Sequence, residues 1–174
     1  MPIKKTLHYL TGDYSDFSLE SRIFHSLCLV ALATLAYCIP LNFALDLPFS
    51  AWLSVAALVI QSLLYYLSRF LNKTKQSRIL SIVIIHIILT VNYFFNSGTG
   101  GPSLLLLLAV FFLVVAIADQ KNYKYWVAVN VLIALGLLSC EYFYPSTIQS
   151  QYISSSIKYG DLASSYCLCS LTIL

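Results

Sequence analysis

The stretch that decides the fold is residues 92–146, NYFFNSGTGGPSLLLLLAVFFLVVAIADQKNYKYWVAVNVLIALGLLSCEYFYPS. It contains two apolar runs, 102–118 and 125–143, and the short loop between them carries Lys121 and Lys124. Uninterrupted runs of about 20 mostly apolar residues are typical of helices that cross a bilayer. The stretch therefore predicts two membrane-spanning helices that are joined on one side by a basic loop.

The composition of the whole chain agrees with this interpretation. Of the 174 residues, 59% are hydrophobic and 10% are charged, and the mean hydropathy is +0.81. Soluble domains carry roughly 25% charged residues, so the composition excludes an ordinary soluble enzyme and also a disordered chain. A net charge of +3 is too small to indicate nucleic-acid binding. The expected partner is the lipid bilayer.

The same pattern along the chain predicts an all-α membrane protein, an up-down antiparallel bundle of transmembrane helices with short connections. A polar segment, residues 1–22, precedes a bundle that occupies residues 23–174. The last apolar run is too short to cross the bilayer, so we expect five full spans plus a truncated sixth, in the front part of a longer protein. The expected spans are about 23–40, 49–70, 79–95, 102–118, 125–143 and 161–174.

The basic residues predict the orientation, because Lys and Arg are retained on the cytoplasmic side. Nine of the ten lie before the first span or in the loops after the second and fourth spans, and only Lys158 lies on the opposite side. We therefore expect a cytoplasmic N-terminus. Aromatic residues are expected in the headgroup layers; those at the outer ends are Tyr37, Trp52, Tyr93, Phe94, Tyr142 and Tyr144.

Polar side chains within the predicted spans recur at helical spacing and indicate the faces that meet other helices. Interhelical hydrogen bonds are the simplest role for them, and His86 is also a candidate for a proton-sensitive switch. The stripes are Ser54, Gln61, Tyr65 and Ser68 on the second span, His86, Thr90 and Tyr93 on the third, Asn130, Ala134, Leu137 and Glu141 on the fifth, and Asp161, Ser165, Cys169 and Thr172 on the sixth.

The candidate site lies at the outer end of the predicted bundle, where Glu141 and Asp161 are the acidic groups nearest the surface. Asn92, Asn96 and Thr99 are expected beside them, and these five residues are the candidate ligand-binding set; simple solvation of the carboxylates is the alternative. The loop NSGTGGPS at 96–103 is a strong turn signal whose glycines permit positive φ. Its backbone N–H groups suit an anion, although a tight hairpin needs no ligand.

Catalytic and metal-binding patterns are not found in the sequence. It has no Walker loop, no nucleophile elbow, no HExxH motif and no paired intramembrane aspartates, so we expect no enzymatic activity. Because no histidine pair has ligand spacing, we expect no metal and no other cofactor. The five cysteines lie in or beside apolar runs and act as small hydrophobic residues. Cys38 and Cys140 lie near the same membrane face, so a bridge between them stays open, whereas Cys167 and Cys169 point to different sides of a helix.

The region 92–146 resembles the N-terminal multi-pass membrane region of bacterial sensor histidine kinases and related signalling proteins. The resemblance lies in the Asn-Gly-Gly-Pro hairpin, an Asp that closes the fourth span before a basic loop, and Glu-Tyr-x-Tyr-Pro after the fifth. The tail IKYGDLASSYCLCSLTIL, residues 157–174, is similar to the start of that family's last span. The resemblance implies a sensory module of the bacterial cytoplasmic membrane, a homodimer, and a downstream kinase or signalling domain. The family's kinase domains have no counterpart in this sequence, so only the sensing role is implied.

A small transporter or channel subunit is the alternative function. In that interpretation the polar residues Gln61, His86 and Asn130 line a path across the membrane.

Overall fold

The computed structural model describes residues 10–11, 17–118 and 121–173, and in this part of the chain it is helical without any strand. Lys4, Lys5 and most of the polar segment 1–22 lie outside the described residues. Short 3₁₀ turns at Gly98–Gly100 and Pro145–Thr147 interrupt two of the connections. The helices are α1 (Leu19–Ala44), α2 (Pro48–Arg69), α3 (Thr74–Phe95), α4 (Ser103–Ile117), α5 (Tyr123–Phe143) and α6 (Ser155–Ile173).

Each predicted span coincides with a helix, but several helices extend beyond the apolar runs. α1 begins at Leu19, because the side chain of Ser18 caps it by accepting a hydrogen bond from the Ser21 N–H at 3.3 Å. It also continues past Pro40 by a turn, although proline removes one backbone donor from the helix. α3 begins at Thr74, so its first turn is polar. An apolar window cannot detect these polar ends.

The last helix departs most from the sequence prediction. α6 begins at Ser155, well before the predicted start at residue 161. Ser154 precedes it and accepts two hydrogen bonds, from the Ile157 N–H to its Oγ and from the Lys158 N–H to its carbonyl, both at 3.3 Å. The 19 residues of α6 correspond to about 28 Å of helix. The turns before Asp161 are polar, so the apolar part of the helix stays as short as the sequence predicted.

In the described part of the chain, four helices are long and apolar enough to cross a membrane, namely α1, α2, α3 and α5. α4 is apolar but has only 15 residues, which correspond to about 22 Å. It is also the central helix, since it packs against α1, α3, α5 and α6. An apolar surface on every face suits this position, because α4 packs against four helices and its remaining exposed side chains, such as Leu108 and Phe112, are also apolar.

The short connections make successive helices antiparallel, so the bundle has two ends of different character. The acidic end consists of the connections 45–47, 96–102 and 144–154, together with Glu141 and Asp161 at the adjoining helix ends. The basic end consists of the start of α1, the connection 70–73, and the ends of α2, α3, α4 and α5 on the same side of the bundle. Its basic residues are Arg22, Arg69, Lys73, Lys75, Arg78, Lys121 and Lys124.

The core lies between α3, α4 and α5, whereas the outer surface is apolar. Tyr93, Leu107 and Val114 are among the buried side chains of the core. In contrast, Leu63 on α2 and Leu132 on α5 are 59% and 67% exposed. Large apolar side chains exposed along helices of this length suit contact with lipid rather than water.

Candidate functional site

Glu141, at the end of α5, binds the turn that connects α3 to α4. Its Oε2 accepts hydrogen bonds from the Thr99 N–H at 3.0 Å and from the hydroxyl of Tyr93, and its Oε1 accepts from Thr99 Oγ1 at 2.7 Å. The turn can approach the carboxylate because Gly98 has φ +53°, and a Cβ there would lie 2.5 Å from Oε2. The sequence suggested that the backbone N–H groups of this loop bind an anion. In the structure this anion is the carboxylate of Glu141 on α5.

The two long connections at the acidic end are joined through their backbones. The Ser97 N–H donates to the carbonyl of Gln149 at 3.0 Å, and the Gln149 N–H donates to the carbonyl of Phe94 at 2.8 Å. Gly101 allows the turn to close, since a Cβ there would lie 2.0 Å from the carbonyl oxygen of Asn96. Irregular backbone near a membrane needs such internal partners, and this end of the bundle provides them.

Asp161, near the start of α6, attaches that helix to the same turn. Its Oδ2 accepts a hydrogen bond from Asn96 Nδ2 at 3.2 Å and another from the hydroxyl of Tyr152 at 2.7 Å. Asp161 and Asn96 are 5% and 3% exposed. Burial and the hydrogen bond to Asp161 raise the pKa of the Tyr152 phenol, which lies in the connection outside the helices.

A central cavity of about 250 Å³ opens beside Asp161. It lies between α1, α2, α3, α4 and α6, and most of its wall is aliphatic. Its polar groups include Asn92, Asn96 and Asp161, which collect toward the acidic end, and Gln61 further along α2. The cavity is therefore apolar along most of its wall and polar at the acidic end. We call the part beside Asn92, Asn96 and Asp161 its polar head.

The structure brings all five candidate residues to the acidic end, but they form two subsites. Glu141 and Thr99 are bonded to each other, and they do not line the central cavity. Asn92, Asn96 and Asp161 do line it. Asn92 also donates from Nδ2 to Ser103 Oγ at 3.0 Å, which joins α3 to the start of α4.

Sequence reasoning missed two tyrosines of this site. The sequence placed Tyr93 both among the interfacial aromatic residues and on a stripe that faces other helices. Its side chain is fully buried, as the stripe predicts, and its hydroxyl donates to Glu141, which was not predicted. Its place on the His86–Thr90–Tyr93 stripe was the signal that it faces the bundle. Tyr152 has no helical pattern around it, and only the folded chain brings it to Asp161.

The path proposed for a transporter does not form one continuous lining. Gln61 lies on the wall of the central cavity, where Nε2 donates to Cys28 Sγ at 3.1 Å. His86 and Asn130 instead meet in the α3–α4–α5 core, with 3.1 Å between Nε2 and Nδ2. His86 Nδ1 is 2.7 Å from the carbonyl of Ile82 and must donate to it, so Nε2 accepts from the amide.

Polar contacts at the basic end join four helix termini. Arg78 Nη1, at the start of α3, donates to the carbonyl of Ile117 at the end of α4 at 3.1 Å. His25 on α1 is fully buried, with Nδ1 2.9 Å from the carbonyl of Thr11 and Nε2 2.8 Å from Ser68 Oγ on α2. These contacts hold the ends of the helices together. Ser68 lies on the polar stripe for which interhelical hydrogen bonds were expected, whereas the hydrogen bonds of His25 and Arg78 were not predicted.

The cysteines form no disulfide in the described part of the chain. Cys38 and Cys140 are both free thiols, so the bridge that the sequence left open is not formed; they lie on α1 and α5, which have no substantial contact. Cys167 is exposed and Cys169 is buried, which confirms that they point to different sides of α6. Within the described ranges, no group of three or more His, Cys, Asp or Glu side chains is placed to hold a metal ion.

Comparison with known proteins gives no match: no family model, no curated protein and no solved structure is similar to this chain. The function must therefore be inferred from the geometry of the acidic end and the central cavity.

Proposed function

We propose that the chain is a membrane-embedded sensory module, in which the acidic end receives the stimulus and α6 transmits it. The single observation that carries this proposal is the attachment of α6 through Asp161, which accepts hydrogen bonds from Asn96 in the α3–α4 turn and from Tyr152. This attachment lies at the head of the central cavity. An occupant of the cavity would change the packing of α6 at the point where that helix is held.

The proposed membrane arrangement has six crossings, with the acidic end outside and the basic end in the cytoplasm. The distribution of Lys and Arg supports this orientation. We include α4 because four helices pack against it and its exposed side chains are apolar, so that its 15 residues need not match the hydrocarbon thickness by themselves. We include α6 because its length approaches the thickness of about 30 Å.

The proposed biological setting follows the resemblance to the input region of bacterial sensor histidine kinases. It consists of the bacterial cytoplasmic membrane, a homodimer, and a downstream kinase or signalling domain. Transmission requires two packings of the bundle that the stimulus stabilises unequally. α6 is the helix suited to differ between them, since it packs on α4 and α1 and has no substantial contact with α5.

Pulsed electron spin resonance between α1 and α6 tests the proposal. Spin labels are placed at the exposed residues Ser26 and Ser170, near the basic end, in a variant without native cysteines. We expect Asn96→Ala, which removes a donor to Asp161, to shift the distance distribution by about 1–2 Å, the scale of regulatory helix shifts. Because Asn96 lies at the acidic end and both labels lie near the basic end, the distance shows whether the perturbation reaches the opposite end of the bundle.

The matched control is Thr147→Ala. It removes the hydrogen bond from Thr147 Oγ1 to the carbonyl of Tyr144, which lies at the acidic end but does not involve α6. It should leave the distribution unchanged. If Asn96→Ala also leaves it unchanged, α6 does not respond to the acidic end and the sensory proposal is wrong.

A further inference from the structure

The central cavity has the size and lining of a binding chamber rather than of a packing defect. Its volume of about 250 Å³ exceeds that of an engineered apolar cavity of about 150 Å³ that stays dry and binds benzene. Aliphatic side chains from five helices form its walls, among them Leu35, Leu53, Ile88, Leu113 and Leu168. A chamber of this kind favours the apolar body of a ligand.

Hydrogen-bonding atoms without partners lie at the polar head of the cavity. Asn96 turns its Nδ2 toward the carboxylate of Asp161, which leaves its Oδ1 as an acceptor with no donor. The Oγ of Ser50, on α2, also has no partner. Both side chains line the cavity, and they are 3% and 5% exposed. Buried polar atoms of this kind are normally satisfied, so they point to a ligand that donates hydrogen bonds.

The charge at the head of the cavity also lacks a counterpart. Among the described residues, the one ion pair is Arg78–Glu20 at the basic end, and no basic side chain pairs with Asp161. Lys158 lies one turn earlier on α6, but its Nζ sits above the turn, 3.5 Å from where a Cβ of Gly100 would be. Buried carboxylates are normally paired with a cation, and here the cavity leaves room for one.

We propose that the central cavity binds a lipophilic amine. Its protonated amino group donates hydrogen bonds to Asp161 and to Asn96 Oδ1, and its hydrocarbon body lies against the aliphatic walls. This inference deepens the proposed sensory function, because it names the class of ligand for the same site. The amine enters beside the hydrogen bond that attaches α6 to the turn.

Direct binding of octylamine to the full chain tests the inference. Radiolabelled octylamine is equilibrated with the protein in lipid nanodiscs, and empty nanodiscs give the background. Octanol and octanoate have the same chain with a neutral or an anionic head. We expect octylamine to bind about tenfold to a hundredfold more tightly than either, as for a hydrogen bond that pairs two charges.

Two pairs of variants locate the site. Asp161→Asn should weaken octylamine binding by about tenfold or more. The matched control Asp46→Asn changes an exposed carboxylate of the same end that does not line the cavity, and it should have little effect. Ala109→Phe fills the buried wall of the cavity and should abolish binding. Leu108→Phe places the same ring at the neighbouring residue of α4, which is 53% exposed and outside the lining, and should leave binding intact.

The inference is overturned if octanol or octanoate binds to the wild type as tightly as octylamine, a comparison that requires no variant to fold. It is also overturned if Asp161→Asn, verified as folded by circular dichroism, binds octylamine as well as Asp46→Asn does. Failure of the inference differs from failure of the proposed function. If octylamine binds but the α1–α6 distance does not change, the sensory function is refuted. If that distance changes in Asn96→Ala but octylamine does not bind, only the proposal of an amine ligand is refuted.

Discussion

Gly98→Ala is the substitution whose effect follows most directly from the geometry of the acidic end. Gly98 has φ +53°, and a Cβ at this position would lie 2.5 Å from Glu141 Oε2 and 3.0 Å from its Cδ. An alanine must therefore adopt a left-handed backbone and also displace the carboxylate. Displacement breaks the hydrogen bonds that Glu141 accepts from Thr99 and Tyr93.

The free energy can be worked from these two effects. A left-handed backbone costs an L residue about 1–2 kcal/mol. The three hydrogen bonds to Glu141 contribute about 0.5 kcal/mol each at this partly exposed position, or about 1.5 kcal/mol together. Replacing glycine also restricts the unfolded chain, which offsets about 0.5 kcal/mol. We therefore expect Gly98→Ala to lower the free energy of unfolding by about 2–3 kcal/mol.

Reversible unfolding of the detergent-solubilised chain, followed by circular dichroism, measures this quantity. Gly136→Ala is the matched control: a Cβ there has no atom within 4 Å, and an alanine inside α5 should raise stability by about 0.5–1 kcal/mol. In a Glu141→Ala background the clash with the carboxylate is absent and only the contact with Ile148 Cγ2 at 3.1 Å remains. Gly98→Ala should then cost only about 0.5–1.5 kcal/mol. Equal effects of Gly98→Ala in both backgrounds, or equal effects at positions 98 and 136, would refute the reasoning.

Two further predictions concern the core and the connection before α6. Asn130→Ala removes the hydrogen bond to His86 and should lower the free energy of unfolding by about 1 kcal/mol. Ser139→Ala, on the exposed face of α5, should have almost no effect. Equal unfolding free energies of the two variants would show that the hydrogen bond between Asn130 and His86 does not stabilise the core. Because the pKa of Tyr152 is raised, its neutral phenol stabilises the fold fully below the unfolded-state pKa of about 10, and this contribution is lost as pH rises toward the folded-state value. The advantage of the wild type over Tyr152→Phe should therefore shrink by up to about 1.4 kcal/mol per pH unit above about pH 10, and an advantage that is independent of pH would contradict it.

The periodicity of the sequence predicted the helices and the faces they bury. Asn130, Leu137 and Asp161 are buried, as their stripes required, because helical spacing alone determines which residues share a face. The helical turns before Asp161 were not predicted, since Ser155 and Gly160 are typical of loops and only the capping contacts of Ser154 show that the helix starts there.

The partners within the candidate site depend on contacts between residues that are far apart in the chain. The sequence placed Glu141 and Asp161 at one end of the bundle. It did not indicate that Thr99 donates hydrogen bonds to Glu141 and that Asn96 donates one to Asp161. The central cavity is still less visible in the sequence, because its walls come from five helices whose packing angles the apolar pattern does not determine.

The threading of the chain through the membrane is the claim on which the sensory proposal depends, and cysteine labelling in intact cells tests it most directly. In a variant without native cysteines, Ser150→Cys reports on the acidic end and Lys75→Cys on the basic end, and both positions are exposed. We expect a membrane-impermeant maleimide to label Ser150→Cys in intact cells and Lys75→Cys only after permeabilisation. Labelling of Lys75→Cys in intact cells would contradict the orientation and, with it, the assignment of the acidic end as the outer, sensing end.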